Sequence, residues 1–102
     1  MYYFIGIKGS GMASLARILY DLGYEVAGSD IDKYIFLEDG LRERHIPIYS
    51  FNKDNIKDGM DVIVGNAFDR SNEEVAAAED NPNVTIHHYY DFLAKLMDDH
   101  IT

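Results

Sequence analysis

Apolar and polar positions along the chain alternate between two periods. Residues 2–7, Tyr2 through Ile7, form an unbroken apolar run, the pattern of a strand covered on both faces. Met12, Leu15, Ala16, Leu19 and Leu22 then recur at helical spacing, with Gly23 placed to cap the helix end. Tyr24 to Asp30 reads as a second strand ending on polar residues, and a helix with an interior glycine is expected over about 34–44. Ile46-Pro47-Ile48-Tyr49 predicts a short third strand, and Asn52 to Lys57 a single helical turn. Asp61 to Gly65, rich in β-branched residues, is the clearest strand. Ser71 with Glu74 has the spacing of an N-capping box before Val75-Ala76-Ala77-Ala78. Asn81-Pro82-Asn83 is a turn, Val84-Thr85-Ile86 a fifth strand, and Tyr89 to Met97 a last helix with Phe92, Leu93, Leu96 and Met97 on its apolar side. Strands alternating with helices at this pitch predict an α/β fold, a five-stranded, doubly wound parallel sheet with right-handed crossovers and helices on both faces. The usual strand order for such a fold is 3-2-1-4-5. No repeat, low-complexity tract or linker interrupts it.

Composition narrows the function classes. A chain of 102 residues supports one domain with one modest core. The apolar fraction of 47%, with eight Tyr and five Phe, is that of a folded chain. Cysteine is absent, which removes disulfides, thiol nucleophiles and Cys-based metal sites and fits a cytoplasmic setting. Met1 leads into a core strand with no basic segment before it, and no apolar stretch approaches the roughly 20 residues that cross a bilayer, so secretion and membrane insertion are not expected. Eighteen acidic against nine basic residues give a formal charge of −9, which disfavours nucleic acid and anionic lipid as partners. An anion bound by such a chain must be held by local devices, backbone N–H groups at a helix N-terminus foremost.

Such a device stands between the first strand and the first helix. Gly6, Gly9 and Gly11 form a G-x-x-G-x-G loop, where backbone can approach a phosphate closely. The dinucleotide fingerprint G-x-G-x-x-G is not met, because Lys8 occupies its middle position, and no Gly-Lys-Ser/Thr marks a Walker A loop. Alone, the glycines also fit a turn that seats the helix on the sheet. Ser29 and Asp30 close the second strand, Asp30 nineteen residues after Gly11, where a doubly wound nucleotide fold places its ribose-binding acid. Asn66-Ala67-Phe68 follows the fourth strand, which lies beside the first at the topological switch point. Each also has a structural reading: Asp30 as a cap, Asn66 as a turn residue, Phe68 as core. Lys8 either reaches a phosphate or points to solvent. His45, His87, His88 and His100 show no metal-ligand spacing, with His87-His88 set to cap or pack. Asp98-Asp99 reads as a solvated tail, and Tyr89, Tyr90 and Phe92 as core or an interface. No set of residues forms a catalytic centre.

The run Tyr3 to Met12, then Leu22-Gly23-Tyr24 and Gly28-Ser29-Asp30, then Val64-Gly65-Asn66-Ala67-Phe68 with Asn72-Glu73-Glu74, resembles the N-terminal domain of the Mur ligase family, in the alanine-adding form of its glycine motif. The resemblance covers nearly the whole chain. It implies a Rossmann-like module that binds the UDP moiety of UDP-N-acetylmuramate, with Gly9, Ser10, Gly11 and Met12 on the diphosphate and Ser29, Asp30, Asn66 and Ala67 near the uridine. Lys8 and Phe68 are further candidates. It also implies that the whole enzyme uses ATP and magnesium to activate the muramate carboxylate as an acyl phosphate, which the amine of alanine attacks. Many relatives carry two glycines where Lys8-Gly9 stands, so the contact of Lys8 is open. In the family a P-loop strand with Gly-Lys-Thr follows this region. The chain stops at Asp98 to Thr102, where that strand would begin, so the resemblance implies a domain cut from a longer ligase, able to bind substrate but not to ligate. A related ligase that attaches a tripeptide to the same nucleotide is a close alternative. An NAD(H)-binding module and a ligand-free interaction domain are the alternatives from other classes.

Overall fold

The computed structural model describes residues 1–33 and 35–101, with side chains described as far as Asp98. Its sheet is all parallel. Strand β1 (Tyr2–Ile5) lies at the centre, paired with β2 (Val26–Ser29) on one side and β4 (Asp61–Val64) on the other. Strand β3 (Ile48–Tyr49) adds to β2 and β5 (Thr85–His88) to β4, giving the order β3-β2-β1-β4-β5. Both the architecture and the order are those expected from the sequence.

The unbroken apolar run of β1 is explained by its two covered faces. Phe4 packs with Leu15, Leu19, Leu41 and Phe92, contributed by helices α1 (Ser10–Asp21), α2 (Glu38–Glu43) and α4 (Tyr89–Ile101). Tyr3 and Ile5 point the other way, into a cluster with Val62, Val64, Val75 and Ala78 beneath α3 (Glu73–Asp80). Alternate side chains of one strand thus feed two cores.

Several boundaries differ from expectation. Strand β3 begins at Ile48 rather than Ile46, because Pro47 has no N–H to give; only its carbonyl takes part, accepting from Gly28 N at 3.1 Å. Helix α2 is shorter than the span from 34, and Tyr34 lies outside the described residues. It starts where Glu38 accepts the Ile35 N–H, and it ends where His45 takes a left-handed turn at φ 59°. The turn expected over 52–57 is a 3-10 turn at Lys53–Asn55. Helix α1 closes as expected, with Gly23 at φ 99° and Tyr24 N donating to Leu19 O, a Schellman arrangement.

The capping box is a correction. Asn72, not Ser71, caps α3, its side chain accepting from the N–H groups of Glu74 and Val75. Glu74 is thereby released from capping and turns into the core, where it is 0% exposed.

Candidate functional site

Because all five strands run the same way, their C-terminal ends share one edge, and β1 has a neighbour on each side there. Strand β1 stops at Gly6, whose φ of +87° turns the chain out of the sheet. Its N–H and that of Ile7 both donate to Ser29 O, at 2.9 and 3.0 Å, so the loop is stitched to the end of β2. Gly9 then acts as the N-cap of α1 without a side chain, its carbonyl accepting from Ala13 N at 2.7 Å.

The first turn of α1 is therefore open. Among the described residues the N–H groups of Ser10, Gly11 and Met12 find no partner, and no acidic residue stands in that turn. Gly9 and Ser10 are exposed and Gly11 half-buried. The Met12 side chain is buried in the core, so only its backbone faces the edge. Partial positive charge and free donors make this turn an anion cradle.

Lys8 does neither of the two things expected of it. Its side chain is 4% exposed, and Nζ donates to Ile31 O at 3.0 Å and Lys33 O at 2.9 Å, with Glu38 Oε1 at 3.5 Å. Burial opposes ionisation of Glu38, but the Ile35 N–H, Arg42 and Lys8 outweigh it and hold the carboxyl below its ordinary range. Lys8 thus fastens the loop to the segment after β2.

Asp30 completes the fastening: its Oδ2 accepts the Lys8 N–H at 2.8 Å and its Oδ1 the Ile31 N–H at 2.7 Å. Ser29 departs from the expected placement. It is 0% exposed and its hydroxyl donates to Glu74 Oε1, so it meets the site only through backbone. Asn66 and Ala67 are exposed on the turn that leaves β4, closed by Phe68 N to Gly65 O at 3.1 Å. Phe68 is partly buried, its ring against Gly6 and 5.6 Å from the Phe51 ring.

Two features escaped the pattern of the sequence. Glu74 gathers Tyr3 Oη at 2.8 Å, Asn55 Nδ2 at 2.9 Å, Asn52 N at 3.2 Å and the Ser29 hydroxyl, which ties α3 to β1 and β2. Burial, with the Glu74 carboxylate adding to it, pushes the Tyr3 phenol well above its ordinary range. Tyr89 opens α4 at the same sheet edge, and its hydroxyl fills the space beside Gly11: a Cβ there would lie 2.3 Å from Tyr89 Oη. Only the position of Tyr89 just after the fifth strand could have signalled this.

His87 and His88 do not join the cradle. His87 Nε2 lies 3.0 Å from Asp61 Oδ1 and its ring packs 5.0 Å from Phe92. This pair lines a cavity of about 200 Å³ with Tyr2 and Lys95, at the edge where β1 and β4 begin, away from the glycine loop. His88 is exposed, and the side chains of Asp99 and His100 lie outside the described residues. Among the described residues no three His, Asp or Glu side chains are grouped to hold a metal ion, and no helix is long and apolar enough to cross a membrane.

Comparison with known proteins adds two solved structures. UDP-N-acetylmuramate–alanine ligase from Thermotoga maritima superposes with a TM-score of 0.85 at 27% identity, over 96% of this chain and 23% of that one. UDP-N-acetylmuramate:L-alanyl-γ-D-glutamyl-meso-diaminopimelate ligase from Neisseria meningitides gives 0.79 at 27% identity, over 97% of this chain and 31% of that one. The chain spans less than a third of either. The family model described as Mur ligase family, catalytic domain, matches residues 1–101, and the chain belongs to the Mur ligase family.

Proposed function

We propose that this chain is the substrate-holding domain of a cytoplasmic, ATP-dependent, amide-forming ligase of peptidoglycan synthesis, and that it binds the UDP end of UDP-N-acetylmuramate. The observation that carries the reading is the open first turn of α1, with the N–H groups of Ser10, Gly11 and Met12 unpaired at the switch point of the sheet. In a chain of net charge −9 this turn is the local device that an anionic ligand needs. Gly9, Ser10, Gly11 and the Met12 backbone take the diphosphate. The uridine lies across Asp30 and the exposed Asn66 and Ala67, with Phe68 holding that turn against Gly6.

In the whole enzyme ATP, with magnesium, would activate the muramate carboxylate. The residues present do not fit them: the chain has no Gly-Lys-Ser/Thr loop, and its described residues hold no metal-ligating cluster. What this chain does is bind and orient, and the chemistry belongs to the further ligase domains that are its partners in this reading. The identity of 27% to both solved ligases leaves a tripeptide-adding enzyme on the same nucleotide as the second reading. Lys8 in the middle position of the dinucleotide fingerprint, its N–H taken by Asp30, speaks against an NAD(H) site.

Calorimetric titration of the 102-residue chain with UDP-N-acetylmuramate, UDP and NADH tests the reading. Both uridine nucleotides are expected to bind and NADH to stay silent. Binding of NADH without UDP, or silence from all three at millimolar ligand, refutes it.

A further inference from the structure

We infer that the Tyr89 hydroxyl is a further ligand of the diphosphate, donating to a phosphate oxygen beside the first-turn N–H groups of α1. The inference rests on the reading that the glycine loop holds UDP. Its starting point is the supply of donors. The cation within the loop, Lys8, is committed to the Ile31 and Lys33 carbonyls and to Glu38. With Lys8 so engaged, the donors at the first turn of α1 itself are neutral: the free backbone N–H groups, the exposed Ser10 hydroxyl and whatever else reaches that turn.

Tyr89 reaches it. It is the first residue of α4, directly after β5, so it stands at the same edge as the glycine loop. Its ring is half-buried, packed on the core below and set edge-on to Tyr90 with centroids 5.2 Å apart. The phenol end occupies the volume that any side chain at Gly11 would need, Oη at 2.3 Å and Cζ at 2.7 Å from a Cβ built there. Glycine at position 11 therefore makes room for this ring as well as for a phosphate. The hydroxyl has no protein partner among the described residues, although the ring that carries it is anchored. A tyrosine held by its ring and free at its tip is a pre-positioned donor.

The phenol also suits its ligand. It adds a hydrogen bond to an anion without needing a counter-charge, and it brings an oxygen against the positive end of a helix. Losing one such bond to a charged group weakens binding about tenfold.

The test compares the 102-residue chain with its Tyr89→Phe variant, titrating UDP directly and inorganic pyrophosphate by displacement of UDP. Phenylalanine keeps the ring, its packing and the shape beside Gly11, so the unfolding midpoint should not move. Affinity should fall about tenfold for UDP and by the same factor for pyrophosphate, because the lost bond lies at the phosphates. Unchanged UDP affinity in the variant overturns the inference, as does a loss for UDP without one for pyrophosphate. If the unmodified chain binds UDP in either case, the substrate reading itself stands. If it binds neither probe, that reading and this inference fall together.

Discussion

Replacing Glu74 by alanine should be among the most damaging single changes in this chain. The carboxylate accepts from Tyr3 Oη, the Ser29 hydroxyl, Asn55 Nδ2 and Asn52 N. After truncation the four donors do not fare alike. Asn52 is exposed and Asn55 half-buried, so water can replace the lost acceptor there. Tyr3 and Ser29 are 1% and 0% exposed, and their hydroxyls lose the carboxylate as acceptor and keep only each other. Each buried hydroxyl deprived of that acceptor costs about 1–3 kcal/mol. Relief from burying the carboxylate offsets part of this, and the cavity left by its removal adds to it. The expected net loss is about 4 kcal/mol, against a total stability of about 5–15 kcal/mol for a domain of this size.

Glutamine separates the explanations. Its carbonyl oxygen can serve the donors around Oε2, while the Ser29 hydroxyl turns to accept from the new amide. Glu74→Gln should then cost only about 1–2 kcal/mol. Urea unfolding followed by circular dichroism reads both, and with a slope of about 1–3 kcal/mol per molar the alanine variant should lose about 2 M in its midpoint. Alanine costing less than about 1 kcal/mol, or glutamine costing as much as alanine, would refute the assignment of stability to these hydrogen bonds. Because Ser29 O holds the Gly6 and Ile7 N–H groups, UDP binding should weaken in the same order.

Two further changes probe the loop. Gly6→Ala combines a φ of +87° with a Cβ 2.4 Å from the Phe68 ring, and should cost about 2–4 kcal/mol, whereas Gly23→Ala, at φ 99° with open space around it, should cost about 1 kcal/mol; equal midpoints in urea would show that the Phe68 contact contributes nothing. Glu38 has its folded pKa held below the ordinary carboxylate value of 4.5, so the stability it contributes is present above that value and is lost as pH falls through the folded one; Glu38→Gln should flatten the acid limb of unfolding below about pH 4.5, and an unchanged limb counts against the Lys8–Glu38–Arg42 cluster.

The strands and their order were legible because each is a local pattern: β1 and β4 as apolar runs, α1 as a helical stripe closed by Gly23. What the sequence hid was long-range complementarity. Ser71 and Glu74 have the spacing of a capping box, yet Asn72 stands one position on and takes the cap. Glu74 is then drawn inward by the Tyr3 hydroxyl, 71 positions away in the chain, and by Ser29, 45 positions away. Tyr3 itself reads as one more apolar residue of β1, since nothing nearby reveals where its hydroxyl goes. Of the candidate site, Gly9, Ser10, Gly11, Asn66 and Ala67 lie exposed or half-exposed at the edge that the strand order predicts. Ser29 and the Met12 side chain do not, because alternation along β2 and the helical stripe of α1 turn both inward.

Lys8 accounts for the departure of this loop from the dinucleotide fingerprint. In G-x-G-x-x-G the middle glycine is the place where a pyrophosphate comes closest to backbone. Here that position cannot be the approach surface, because its N–H is taken by Asp30 and its side chain runs down to the Ile31 and Lys33 carbonyls. The residue is a strut, and a strut needs a long side chain where an approach surface needs none. In the proposed reading closest approach shifts along the chain to Gly9, which tolerates backbone exposure at the helix cap, and to Gly11, which leaves room for the Tyr89 ring. The loop keeps its glycines where a ligand or a ring must come near, and gives one position up to hold it against β2. Lys8, Asp30 and Glu38 are buried and engaged with one another or with nearby backbone, and the open first turn of α1 offers neutral donors.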